Sequence, residues 1–369
     1  MEHRMYLSPP DLTGNELRYI QEAIASNWIA PAGPQLDAMA SLLKELTGSA
    51  HVLPVSSGTS ALHLALIALG ISDGDVVFCP TFTFAASVFP VVYQKAQPVF
   101  IDSELETWNM DPALLEQAIQ DAIKNNQRPK AIILVHIYGF PAQVSKIKHI
   151  AQQYGLSIIE DAAESLGSTY NNQHTGTFGS VGVLSFNGNK IVTGGSGGAV
   201  LTNDALLFGQ MALLSNQAKE EQLYYEHKQI GYNYRMCNVN AAIALAQLEQ
   251  LDVKITKKKQ IRAWYQEQLK GFAAVKLSSI GTDNAWLTCV QFEKESSLQN
   301  VQNFLEQNNI ESRRLWNPMH LQPVFKGVPF YSNGIANTLF ENGLCLPSGT
   351  QMSQNDVVGI ANLIKKSVF

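Results

Sequence analysis

Between residues 51 and about 220 the sequence changes its hydrophobic period again and again. Short apolar runs at 52–55, 76–79, 99–101, 131–135, 157–160, 181–186 and 198–201 alternate with helix-length stretches near 59–69, 85–94, 112–124, 145–154 and 204–219. The runs are rich in β-branched residues and nearly all apolar, as strands are when both sheet faces are covered. Strand–helix alternation of this kind predicts an α/β fold: a mostly parallel seven-stranded sheet with helices on both faces.

After residue 238 the pattern changes. One long helix is expected from Asn238 toward Leu269, then a strand near 286–292, a helix near 298–307, a short strand near 312–315 and a last helix from Ser353. This reads as a smaller C-terminal α+β domain. A chain of 369 residues exceeds the size at which one core stops growing. The expected division is a large domain at 1–245 and a small domain at 246–369.

With 46% hydrophobic and 15% charged residues the chain can bury a large core. Its net charge of -5 is spread along the sequence, which argues against a nucleic-acid binder. The one basic cluster, Lys257-Lys258-Lys259, reads as a solvated helix face. The start lacks the apolar segment of a signal peptide, and no run of about 20 apolar residues suggests a membrane span. Cys79, Cys237, Cys289 and Cys345 form no C-x-x-C pair, so they are expected to be reduced thiols of a cytoplasmic protein, without a metal site.

Three segments carry chemistry. Ser56-Ser57-Gly58-Thr59-Ser60-Ala61 follows a strand and opens a helix. Unpaired N–H groups and the helix dipole favour an anion there, small residues let a phosphate approach, and Thr59 adds a hydroxyl; a plain helix cap is the alternative. Ile158-Ile159-Glu160-Asp161-Ala162-Ala163 puts a carboxylate at the carboxyl end of a strand, where sites of open α/β sheets lie. That carboxylate is open to four readings: metal ligand, general base, partner of a cofactor cation, or surface cap. In the third segment a strand ends at Ser185-Phe186, Asn187-Gly188-Asn189 turns, and Lys190 precedes Thr193-Gly194-Gly195-Ser196-Gly197-Gly198. Lys190 is either a surface lysine or an amine placed to form a Schiff base with an aldehyde. Ser185 could bind the same phosphate as the first segment. Anion site, carboxylate and lysine come in compatible order at the strand ends of one sheet. They are the three supports that pyridoxal 5'-phosphate (PLP) needs.

These residues resemble the nucleotide-sugar aminotransferases of the DegT/StrS group, within the fold-type I PLP enzymes. The resemblance runs from Leu7-Ser8-Pro9-Pro10 to Cys345-Leu346-Pro347-Ser348-Gly349. Its markers are Asn27-Trp28-Ile29-Ala30-Pro31, Ser57-Gly58-Thr59-Ser60-Ala61-Leu62, Pro80-Thr81-Phe82-Thr83-Phe84, Glu160-Asp161-Ala162-Ala163, Ser185 to Lys190, and Gly231-Tyr232-Asn233-Tyr234-Arg235. Asn187-Gly188-Asn189-Lys190, Tyr225-Glu226-His227 and the 316–320 segment resemble, more narrowly, the PglE-like 4-aminotransferases of the UDP-N-acetylbacillosamine pathway.

The resemblance implies an enzyme that moves the amino group of L-glutamate to C4 of a UDP-linked 2-acetamido-4-keto-2,4,6-trideoxy hexose. It implies that Lys190 is the Schiff-base lysine, cycling between covalent anchor and general acid/base, and that Asp161 faces the pyridinium nitrogen. Gly58, Thr59 and Ser185 are implied phosphate ligands, with Ser57 and Glu164 also at the cofactor and Phe84 over one face of its ring. Asn233 resembles a phosphate ligand given by a neighbouring subunit, which implies a homodimer with shared active sites. Many relatives carry Gln where Glu164 stands, and an ionised carboxylate cannot donate to the cofactor's phenolate oxygen as an amide does. Glu164 must then be protonated, meet a protonated oxygen, or point elsewhere; the PglE-like branch resembles this chain in carrying Glu there. Where relatives often have Gly-Glu-Gly-Gly, this chain has Gly195-Ser196-Gly197-Gly198, which bears on local loop contacts.

The candidate substrate residues are Trp28, Ile29, Asn187, Arg235, Trp316 and His320. Trp28 and Trp316 stack on the base or sugar, or pack internally. Arg235 meets the glutamate carboxylate or pairs across the dimer. His320 lines the sugar pocket or is structural. His136 and His63 read as structural, and Asp102 with Glu104 as a solvated turn. Another nucleotide sugar, such as a dTDP-linked one, or another acceptor carbon, such as C3, is the nearest rival to this substrate, and two rival functions stand further off. PLP enzymes that remove a sugar hydroxyl carry His at the position of Lys190, and regulatory relatives carry a fused DNA-binding module for which this chain has no room.

Overall fold

The computed structural model describes residues 4–12, 14–292 and 295–367. Helices α1 (Glu16–Ala25) and α2 (Pro34–Thr47) come first. Then β1 (His51–Val55), α3 (Gly58–Ala68), β2 (Asp75–Pro80), α4 (Phe89–Tyr93), β3 (Gln97–Ile101), α5 (Pro112–Lys124), β4 (Arg128–Val135), α6 (Val144–Tyr154) and β5 (Ser157–Asp161) alternate. A small hairpin, β6 (Thr169–Tyr170) and β7 (Gln173–His174), leads into β8 (Val181–Ser185), β9 (Gly198–Thr202) and α7 (Ala205–Ser215). The rest comprises α8 (Asn238–Leu248), α9 (Leu251–Gln268), β10 (Ala274–Val275), β11 (Thr288–Gln291), α10 (Glu295–Gln307), β12 (Arg313–Arg314), β13 (Phe330–Tyr331), α11 (Ile335–Asn342), β14 (Gly343–Leu346) and α12 (Gln354–Ser367).

The main sheet runs β1-β9-β8-β5-β4-β2-β3-β13. Only β9 opposes its neighbours; the other pairings are parallel. All seven expected strands are present, but the sheet has eight. The addition, β13, pairs Phe330 with Phe100 and Tyr331 with Ile101. Two residues are too few to show a period of two, so this strand leaves no sequence signal.

Its anchor is Asp102. One carboxylate oxygen accepts from the Ser332 hydroxyl and the N–H groups of Asn333 and Gly334, and the other accepts from Ala336 and Ser103. Asp102 is buried, so the solvated turn expected there is corrected. The long helix expected from Asn238 is two helices, broken at Glu249 and Gln250. The basic face expected on it is corrected too. Lys258 is buried and donates to the carbonyls of Trp286 (3.0 Å) and Ser348 (2.8 Å).

Helix α3 is apolar on every side and buried along most of its length, so it lies inside the fold with its first turn at the sheet's carboxyl edge. A second core lies between the β2–β5 strands and α5 and α6. A third fills the space between α9, α10, α12 and the antiparallel sheet β10-β11-β14-β12. Among the described residues no helix is long and apolar enough to cross a membrane. All four cysteines are free.

Candidate active site

The loops after β1, β5 and β8 meet around a cavity of about 430 Å³. Its walls include Ser57, Gly58 and Thr59 from the start of α3, Asp161 and Glu164 after β5, and Ser185, Asn187, Asn189 and Lys190 after β8. Phe84, Trp286, Arg313 and Trp316 line it too.

The first turn of α3 is built as an anion cradle. Its leading N–H groups have no intrahelical acceptor. Ser57 caps the helix by accepting from the N–H of Ser60 at 3.0 Å, and Gly58 and Thr59 face the cavity. The cradle is packed to its limit. A Cβ on Gly58 would lie 3.2 Å from Cβ of Ser185, and a Cβ on Gly198 would lie 2.5 Å from the Gly58 nitrogen. Ser185 ends β8 in register with Gly198, which brings its hydroxyl to this turn.

Asp161 is the last residue of β5 and buried. It accepts from the Ser87 hydroxyl at 2.7 Å and the Ala163 N–H at 3.1 Å. No described cationic side chain lies within ion-pair distance of it, so the cavity holds a buried carboxylate that calls for a cation. Glu160, one residue earlier, points the other way and is fully satisfied. It accepts from His136 Nε2 (2.9 Å), Gly176 (2.8 Å), Phe178 (2.5 Å) and Gly179 (2.7 Å). Burial alone would push the Glu160 carboxyl up, but these bonds hold it below the usual value. His136 takes the Ala142 N–H on Nδ1 and gives its Nε2 proton to Glu160, so its role is structural.

Lys190 extends between two side chains. Its Nζ lies 3.6 Å from Glu164 Oε1 and 4.3 Å from the centre of the Trp286 ring. Trp286 is locked: its indole N–H donates to the Asn189 carbonyl at 2.8 Å and its backbone N–H to Asn284 at 3.0 Å. Glu164 accepts the Tyr138 N–H at 2.6 Å. Burial pushes its carboxyl up, against the opposing pull of the Lys190 charge. Two further cavity residues carry buried polar atoms without a partner among the described residues: the Trp316 indole N–H and the Asn189 side-chain oxygen.

Other expected site residues stay outside the cavity in a single chain. Trp28 and Ile29 are exposed on the loop before α2. Asn233 is exposed, pairing by backbone with Asn216. Arg235 pairs by backbone with Val55, and its Nε is buried without a partner. His320 bonds Thr81 at 2.7 Å and stacks on Phe330, and burial lowers its pKa. Phe84 and Trp316 do meet at the cavity, with ring centres 5.1 Å apart. Ser87, Trp286 and Arg313 gave no signal in the sequence, because each reaches the cavity from an element remote in the chain.

Residues 10–365 match the DegT/DnrJ/EryC1/StrS aminotransferase family. The chain is 43% identical over 363 residues to EpsN of Bacillus subtilis (strain 168), whose name places it with the PLP-dependent aminotransferases; the match spans 96% of this chain and 94% of EpsN. It is 37% identical to a GDP-perosamine synthase of Escherichia coli O157:H7, across 97% of this chain and 96% of that protein. The crystal structure of a DegT DnrJ EryC1 StrS aminotransferase from Brucella abortus superposes with a TM-score of 0.90 at 32% identity, covering 95% of each chain.

Proposed function

The chain belongs to the DegT/DnrJ/EryC1/StrS aminotransferase family and is a PLP-dependent sugar aminotransferase; on that premise we propose that it moves the amino group of L-glutamate to C4 of a UDP-linked 2-acetamido-4-keto-2,4,6-trideoxy hexose. It does so as a cytoplasmic homodimer. One observation carries the reading: Lys190, the buried Asp161, which has no cationic partner among the described residues, and the Gly58–Thr59 turn all face one cavity.

The residues present fit the cofactor. The tight Gly58–Ser185–Gly198 cradle suits a phosphate, with the Thr59 and Ser185 hydroxyls and the helix N-terminus to hold it. Asp161 supplies the anion for a protonated ring nitrogen, and Phe84 the apolar cover. PLP, when bound, supplies the electron sink that lets an amino group change places with a keto oxygen. Lys190 Nζ would hold the cofactor through its aldehyde, with loss of water, until the donor's amine displaces it; the freed amine would then take the α-proton of the donor and, in the second half, deliver a proton to C4 of the sugar. Glu164, its carboxyl pushed up by burial against the pull of the Lys190 charge, stands 3.6 Å from Lys190 Nζ and accepts the Tyr138 N–H, and so positions the lysine. The unpartnered Trp316 indole N–H and Asn189 oxygen offer one donor and one acceptor to sugar substituents, and Asn187 stands beside them.

Asn233, Trp28, Ile29 and Arg235 are assigned to the site of the neighbouring subunit. Their exposure, or in Arg235 an unpartnered Nε, supports this. So do the exposed Leu223, Tyr224, Tyr225 and Ile230 on the same segment as Asn233, and an apolar cavity of about 620 Å³ under α4 lined by Phe89, Val92, Tyr93 and Val324. His320, held by Thr81, supports the sugar pocket from behind. The division into lobes at 1–245 and 246–369 belongs to the same proposal, supported by the separate core between α9, α10 and α12. The GDP-perosamine synthases among the relatives favour a second reading, a GDP-linked keto sugar as acceptor.

The test is to incubate the protein with PLP, L-glutamate and a panel of UDP-, GDP- and dTDP-linked 4-keto sugars, and to identify products by mass and NMR. Amination of the UDP-linked 2-acetamido sugar at C4, absent in Lys190→Ala, is expected. Preference for a GDP-linked sugar establishes the second reading, and no amination of any 4-keto sugar refutes both.

A further inference from the structure

We propose that Arg313 binds the side-chain carboxylate of the amino donor and so selects a dicarboxylic amino acid. The inference rests on the donor being L-glutamate, as read above.

Among the described residues, Lys190 and Arg313 are the two cationic side chains that line the active-site cavity. Lys190 is committed to the cofactor. Arg313 stands at the mouth: its side chain is 58% exposed, against 13% for Lys190. Together with Asn189 it forms the wall shared with a neighbouring cavity of about 400 Å³. The α-carboxylate of any donor is bonded to the carbon that bears the amine and must stay deep, beside Lys190. The side-chain carboxylate of glutamate lies at the far end of its chain, which suits a cation at the rim.

The guanidinium is held for such a contact. Its Nε and Nη2 both donate to one oxygen of Glu311, at 3.0 and 2.6 Å. The other Glu311 oxygen accepts the Leu7 N–H at 2.9 Å, so Glu311 is itself fixed by the N-terminal segment. This leaves the Nη1 edge without a hydrogen-bond partner among the described residues. A guanidinium with one edge open accepts a carboxylate with its planar fork. The next residue on the strand, Arg314, faces away. It donates to Gln299 at 3.1 Å and lies over the Phe340 ring, and it serves as the control.

The test uses the PLP-loaded protein and two donor analogues that lack the α-proton, α-methyl-L-glutamate and α-methyl-L-glutamine, with binding read by calorimetry. Arg313→Gln should weaken the glutamate analogue roughly 10- to 100-fold, the loss of a charged hydrogen-bonded pair. It should leave the glutamine analogue within about twofold, since an uncharged side chain has no such pair to lose. Arg313→Lys should fall between, and Arg314→Gln should match the unmodified protein. Equal weakening of both analogues would assign Arg313 to the α-carboxylate and overturn the proposal. So would unchanged donor binding with weakened binding of the keto sugar nucleotide, which would assign it to the phosphates. If the unmodified protein itself fails to bind the glutamate analogue, the donor reading falls, an outcome separate from either of these.

Discussion

Replacing Glu160 by glutamine changes one atom and should damage the protein badly. The carboxylate is buried and takes four donors, two on each oxygen: His136 Nε2 and Gly176 N on one, Phe178 N and Gly179 N on the other. A glutamine keeps one oxygen, so whichever way it turns its NH2 faces two donors. Each buried donor left unpaired costs about 1–3 kcal/mol, so the sum is about 2–6 kcal/mol. Against a typical stability of about 5–15 kcal/mol this is a large share. Asp161 is the next residue, so the damage should also loosen cofactor binding. The pH dependence has a definite sign. The Glu160 carboxyl sits below its unfolded value of 4.5 in the folded chain. Its contribution is therefore present above about pH 4.5 and lost as pH falls through the folded value. Denaturant unfolding of both proteins, at one protein concentration and at pH 7 and pH 4, measures it. The glutamine variant should be weaker at pH 7, and the gap should narrow at pH 4. A difference below about 1 kcal/mol at pH 7, or a gap independent of pH, would refute the account of Glu160 as a fully engaged carboxylate.

Two further outcomes are expected. Burial pushes the Lys258 amine down to about 7, from 10.5 when unfolded; between these values the unfolded chain holds a proton that the folded one lacks, so stability should rise with pH by up to about 1.4 kcal/mol per unit. Lys258→Met should abolish that slope in unfolding curves at pH 7, 8 and 9, and parallel curves would contradict the assignment. Gly198→Ala would push a Cβ to 2.5 Å from backbone atoms of Ser57 and Gly58; at about 1–3 kcal/mol of overpacking, PLP affinity should fall roughly 10- to 100-fold while far-UV circular dichroism stays unchanged.

The parts of the fold that were legible in the sequence are those written in local pattern. Seven apolar runs became seven sheet strands, and α5 spans the residues expected of it, because Asp111 caps it and Pro112 opens it. The three chemical segments were legible for the same reason: strand end, small residues and one reactive side chain lie together in the chain. What failed was written in distance. Lys258 looked like one of three solvated lysines, yet α9 turns it inward against the carbonyls of Trp286 and Ser348. Asp102 looked like a turn residue, and only the return of a segment more than two hundred residues later shows what it holds. Trp286 and Arg313 carry no motif, because their role is set by loops that come from elsewhere to meet them. The long helix broke at Glu249 and Gln250, where no proline or glycine announces it.

The return of β13 to the edge of the main sheet bears on how the protein is made. Strand β3 emerges from the ribosome early, but its outer neighbour, Phe330–Tyr331, follows more than two hundred residues later. Until then β3 presents a bare row of backbone donors and acceptors, the kind of edge that recruits other chains. The carboxylate of Asp102 waits beside it, with its four contacts from residues 332–336 still unmade. Nascent protein should thus stay prone to aggregate until β13 has been made, and chaperone dependence should fall sharply once residue 336 has cleared the exit tunnel.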